Sequence, residues 1–197
     1  MNDLHQPQSE QATRPRVTGE RRLPGDPRPE AVIARMIRVD QAGEYGARRI
    51  YEGQLAVLGR SPKAEVIRAM AEAEARHLDE INRLMVERRV RPTLLSPVWH
   101  VAGFALGAAS ALLGERAAMA CTVAVEEVIE GHYARQADQL GDDEAGLRAK
   151  LEAYGSDEAH HRETAIAHEA ELAPGYQPLT RAIKAGTRLA IWLSERV

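Results

Sequence analysis

The chain has 197 residues, 44% hydrophobic and 28% charged, which suits one soluble globular domain with a sizeable core. A formal net charge of −3 leaves no global basic character, so nothing points to a nucleic-acid partner. The single cysteine, Cys121, excludes an internal disulfide framework, suits a reducing compartment and reads as a small core residue.

The first 29 residues are rich in Pro, Gln, Arg and Gly, and are expected to form a disordered tail ahead of one domain over residues 30–197. They hold no apolar stretch of the signal-peptide kind, and Asp3, Glu10 and Glu20 argue against a mitochondrial transit peptide. Aromatics make up only 4% of the chain, Ala, Glu, Leu and Arg are abundant, and no β alternation is sustained, so the fold is expected to be all-α.

Five helical patterns follow. The first runs from about Pro29 to Leu58. The second starts at Ser61, a suitable cap with Pro62 at the first helical position, and ends before Arg91-Pro92. The third covers about Gly114 to Leu140 and the fourth about Asp143 to Leu172. The fifth, from about Pro178 to the end, is a shorter amphipathic helix.

Between the second and third patterns lies "TLLSPVWHVAGFALGAASALLG", with no Asp, Glu, Lys or Arg. It is almost long enough to span a bilayer, but His100, two serines, a proline and several Gly and Ala favour a crossover lying on the bundle or dipping into a membrane surface. A ferritin-like four-helix bundle needs one long crossover of this kind between helices two and three.

Core positions of a bundle recur at spacings of three and four. The first helix then presents Ile33, Ile37, Asp40, Glu44, Ala47, Tyr51, Leu55 and Leu58, and the second Ile67, Met70, Glu74, His77, Ile81 and Leu84. The third presents Met119, Val123, Glu126, Glu130, Tyr133, Ala137 and Leu140. The fourth presents Leu147, Leu151, Tyr154, Glu158, His161, Ala165, His168 and Leu172. Each seam is apolar at both ends and acidic in the middle. Buried carboxylates cost several kcal/mol each when unpaired, and several in one layer also repel, so something must neutralise them, with protonation or arginine pairing as the alternative to metal.

Two divalent cations would cancel four carboxylates, and neutral imidazoles would add ligands without adding charge. Residues three apart share a helix face, so Glu74 with His77, and Glu158 with His161, can each offer two ligands to one place. Di-iron carboxylate bundles take one Glu from each of two helices and a Glu-x-x-His pair from each of the other two. Glu44, Glu74, His77, Glu126, Glu158 and His161 supply that set. The halves echo each other, with 30 residues from Glu44 to Glu74 and 32 from Glu126 to Glu158. Mixed carboxylate and imidazole ligands without thiolate allow iron or manganese.

The segments "RVDQAGEYGARRIYEGQLAVLG", "AEAEARHL", "ACTVAVEEVIEGHY" and "LSERV" closely resemble those of the demethoxyubiquinone hydroxylases, di-iron monooxygenases of ubiquinone biosynthesis. The resemblance runs from about Val32 to Val197. It implies the same six ligands, with Glu74 and Glu158 bridging two iron ions. The family often has a more acidic sequence where this chain has "SDEAHH"; His161 stands three after Glu158, with His160 as the fallback. The implied reaction hydroxylates the ring of a polyprenyl demethoxy quinone with dioxygen, the second oxygen atom leaving as water. NADH is the implied electron source, although the chain has no GxGxxG fingerprint. A lipid-binding accessory protein is an implied partner and a homo-oligomer an open expectation.

Around the ligands, Tyr51, Glu130 and Tyr133 are candidates to hydrogen-bond them or relay protons, and packing is the alternative for the tyrosines. His132 matches a family histidine and is a candidate gate to the substrate. His168 reads as a satisfied core histidine, and Asp40 could pair with Arg38, Arg48 or His161. A membrane-dissolved substrate requires access to a bilayer. Residues 97–113 and the basic, Trp-bearing terminal helix could supply it, placing the chain peripherally on the cytoplasmic face of the cell membrane. The alternative functions are another ferritin-like di-iron oxidase, of ferroxidase or peroxidase type, and a non-enzymatic quinone carrier.

Overall fold

The computed structural model describes residues 25–197, so most of the tail expected over residues 1–29 lies outside them. Six helices form: α1 (Pro29–Leu58), α2 (Ala64–Glu87), α3 (Ser96–Leu112), α4 (Glu115–Ala137), α5 (Ala145–Ala167) and α6 (Tyr176–Ser194). Two single 3-10 turns, Asp142–Glu144 and Ala170–Leu172, flank α5. No strand occurs among the described residues.

Helices α1, α2, α4 and α5 make the bundle as two hairpins, α1 with α2 and α4 with α5. Most of their seam residues are buried as the spacing requires, while Leu55, Leu58, Leu84, Glu130 and His168 are half-buried. Ile37, Ile67, Met119, Tyr133, Leu140 and Leu151 are all within 1% of complete burial. Leu172 departs from this, being 60% exposed. The reason is local: α5 stops at Ala167, Glu169 turns left-handed at φ 70°, and the seam does not continue past it. At the start of α2, Ser61 lies just outside the helix and its hydroxyl accepts a hydrogen bond from the Lys63 amide at 3.1 Å.

The uncharged crossover is itself a helix, α3, lying along α1. The contact is made by backbone on backbone. A Cβ on Gly107 would fall 2.7 Å from the Ile50 carbonyl carbon, and one on Gly103 would fall 2.9 Å from Arg49 Cβ and from the Gly46 oxygen. Small residues thus let the two axes approach more closely than side chains permit. Gly114, at φ 109°, then turns the chain sharply into α4. Helix α6 packs on α4, and Lys184 on it pairs with Glu127 at 2.5 Å. The Trp99 indole donates to Ser194 Oγ at 3.0 Å, tying α3 to α6. No helix among the described residues is long and apolar enough to cross a membrane.

Candidate metal centre

The six expected ligands converge in the middle of the bundle. Glu44 on α1, Glu74 and His77 on α2, Glu126 on α4, and Glu158 and His161 on α5 are all buried. They fall into two overlapping groups. Glu44, Glu74, His77 and Glu158 form one, and Glu74, Glu126, Glu158 and His161 the other; within each group the potential ligand atoms lie within 4.8 Å of one another. Glu74 and Glu158 belong to both. His160 is exposed, so the fallback at that position points away from the cluster's buried layer.

The donor set fits cations. Glu44 Oε2, Glu74 Oε1, His77 Nδ1, Glu126 Oε2, both Glu158 oxygens and His161 Nδ1 are buried without a hydrogen-bond partner among the described residues. Buried polar atoms are rarely left so, and here they cluster. The electrostatics agree. Burial first, then neighbouring carboxylates, push Glu74 well above the usual carboxylate range. Burial and the Glu158 charge do the same to Glu126, and burial raises Glu44. Glu158 alone is lowered, because the His161 and His77 imidazoles outweigh the burial that would raise it. His77 is pushed up to about 10: burial opposes its charge, but contacts with Glu158 and Glu44 prevail.

Two tyrosines brace the carboxylates crosswise. Tyr51, seven residues after Glu44, donates to Glu126 Oε1 at 2.6 Å. Tyr133, seven after Glu126, donates to Glu44 Oε1. Each half of the chain therefore hydrogen-bonds the other half's glutamate, an exchange that follows from the approximate two-fold arrangement. Burial, reinforced by nearby carboxylates, holds both phenols protonated.

Other expected neighbours fall elsewhere. Glu130 turns outward and pairs with Arg162 on α5 at 2.9 Å, its side chain 34% exposed. Asp40 meets none of Arg38, Arg48 or His161; it sits 3.5 Å from His132 Nε2, which in turn contacts Gln136 Nε2 at 2.8 Å. His168 is partly exposed beside Lys63 Nζ at 3.1 Å. One residue escaped sequence reasoning. Asp157 Oδ2 lies 3.0 Å from His77 Nε2, on the ring edge away from the cluster. The signal was its place directly before Glu158, but only the fold brings α5 against α2.

A cavity of about 320 Å³ opens between α1, α3, α4 and α6. Ala47, Ile50, Leu106, Val125, Ile129 and Ile191 make its walls apolar, and its few polar groups are Asp40, His132, Tyr133, Trp99, Thr187 and Ser194. Tyr133 belongs both to this wall and to the carboxylate cluster, so its side chain joins the cavity to Glu44.

Residues 31–194 match the family model described as ubiquinone biosynthesis protein COQ7. The chain is 58% identical over 183 residues to 3-demethoxyubiquinol 3-hydroxylase of Rhodospirillum rubrum, covering 92% of this chain and 86% of that protein. It is 53% identical over 169 residues to the NADPH-dependent 3-demethoxyubiquinone 3-hydroxylase, mitochondrial, of Dictyostelium discoideum, covering 84% and 78%. It is 51% identical over 171 residues to the human protein of that name, covering 85% and 79%. With its fold and buried carboxylate–histidine layer in place, the chain belongs to the COQ7 family of ubiquinone biosynthesis proteins.

Proposed function

We propose that this chain hydroxylates the ring of a polyprenyl demethoxy quinone with dioxygen, using two iron ions held by Glu44, Glu74, His77, Glu126, Glu158 and His161. Glu74 and Glu158, common to both ligand groups, would contribute to holding both ions. When bound, the metal pair would supply the redox chemistry that activates dioxygen. Reducing equivalents come from a nicotinamide, taken as NADH, whereas several relatives are named NADPH-dependent.

The observation that carries the reading is the apolar cavity ending on Tyr133, itself bonded to Glu44. Its volume lies in the range of small-molecule sites, about 300–1,000 Å³. Apolar walls from α1, α3, α4 and α6 take an alkyl-substituted ring and exclude water. Asp40, His132 and Tyr133 are the polar groups available to orient the ring's oxygens. Tyr133 keeps its proton on its oxygen and holds Glu44 in place. A ferroxidase would need the ligand cluster but no such apolar chamber beside it.

The access route follows from the outer helices. Leu94 just before α3, Val98 and Val101 in its first turns, Leu112 and Leu113 where it ends, and Leu189 and Trp192 on α6 are exposed. These faces rest on a bilayer surface, from which the quinone enters between α3 and α6. Filling the chamber tests the site directly. Ala190 lines the cavity, none of the six candidate ligands does, and the substitution tested is Ala190→Trp. It should raise KM for the quinone or abolish turnover while leaving helicity and iron content unchanged. Wild-type turnover in that variant would show that substrate binds elsewhere.

A further inference from the structure

His77 and His161 occupy matching positions in the two halves, and each turns Nδ1 inward. His77 Nδ1 is 3.4 Å from Glu44 and 3.5 Å from Glu158; His161 Nδ1 is 3.1 Å from Glu74 and 3.3 Å from Glu158. Their outer edges differ. His77 Nε2 meets Asp157 Oδ2 at 3.0 Å. Asp157 immediately precedes Glu158, and the matching position before Glu74 is Ala73, a buried residue with nothing to offer. Among the described residues, Glu74 and Glu158 are the only carboxylates within ion-pair distance of the His161 ring.

From this asymmetry we infer that Asp157 is a positioning residue that makes the two metal positions unequal, tightening the one bounded by Glu44 and His77. The inference rests on the metal reading of the site. An acceptor at Nε2 fixes the tautomer with its hydrogen on that nitrogen and leaves the Nδ1 lone pair free to bind metal. A carboxylate acceptor also makes the imidazole a more basic ligand. Among the described residues no side chain accepts from His161 Nε2. The favoured position is also the one nearest the chamber, because Tyr133 lines the chamber and donates to Glu44. The halves that share one ligand pattern are thereby differentiated on the substrate's side.

Asp157 is mostly exposed, its side chain retaining 58% of its accessible surface, so replacing it removes no core packing. The metal-free protein is titrated anaerobically with iron(II) as the unaltered chain, Asp157→Ala and Asp157→Glu. The two diferrous sites are followed by Mössbauer spectroscopy with iron-57. In Asp157→Ala one equivalent should weaken by roughly 10- to 100-fold while the other stays within about two-fold. One of two quadrupole doublets should change, and Asp157→Glu should restore much of both signals. If Asp157→Ala keeps both affinities, or loses both equally, the inference is wrong while the metal reading stands. If the unaltered chain fails to bind two equivalents, both are overturned.

Discussion

Replacing Glu74 with Gln should stabilise the metal-free protein and cost it metal. Glu74 is 1% exposed, its Oε1 has no hydrogen-bond partner among the described residues, and it shares its layer with Glu44, Glu126 and Glu158. Among the described residues the two imidazoles that join those four carboxyl groups are His77 and His161. The full cost of the charge is not recovered, because burial and the neighbouring carboxylates favour the protonated form of Glu74 over the charged one. Gln also keeps a polar head that must find partners. What remains is roughly 1–3 kcal/mol in favour of the Gln variant. In a chain of this size that raises Tm by about 3–10 °C. The assay is thermal unfolding by circular dichroism after chelation, paired with iron(II) titration of the same samples. A chelated Gln variant that melts below its chelated parent would refute the reasoning, because the carboxylate would then be satisfied by packing alone.

The same layer sets a pH dependence. Burial raises Glu44, Glu74 and Glu126 above their ordinary value of 4.5, so the folded state holds protons that the unfolded chain releases. Stability from those protons is complete below 4.5 and is lost as pH climbs through the raised values; His77 adds a loss between 6.5 and about 10. Glu158, lowered, works only on the acid side, where its contribution fades as pH falls below 4.5. The chelated protein should therefore lose Tm steadily from pH 6 toward about 10, and a flat or rising profile would contradict this. Gly107→Ala should force α3 off α1 at Ile50 and cost about 1–3 kcal/mol or more, read from the urea midpoint; an unchanged midpoint would mean the helices separate freely. Cys121 is fully buried and burial pushes its thiol up to about 12, so alkylation at pH 8 should require unfolding first.

The bundle's seam was legible because large apolar residues and carboxylates share one helical stripe, and burial follows that stripe from Ile37 through Glu44 to Tyr51. The six candidate ligands could be picked out for the same reason, and all six are buried, His161 included, whereas His160 is exposed. Helix α3 was not, since its contact with α1 is made by Gly103 and Gly107, which add nothing to an amphipathic pattern. Asp157 and the Asp40–His132–Gln136 group were equally hidden. Their partners come from other helices or from a chamber that only packing creates, and Asp157 even looks like an ordinary surface charge. Glu130 shows the opposite failure. The seam admitted it, yet an arginine across the interface, Arg162, draws it outward.

A single turnover under oxygen-18 tests the central claim most directly. The iron-loaded protein is reduced chemically, mixed with a short-chain demethoxy quinone and exposed to the labelled gas, and the quinone is weighed by mass spectrometry. The account predicts a product carrying one heavy oxygen, and none from Glu74→Ala. Iron oxidised with the quinone unchanged would contradict it and assign the site to iron oxidation instead.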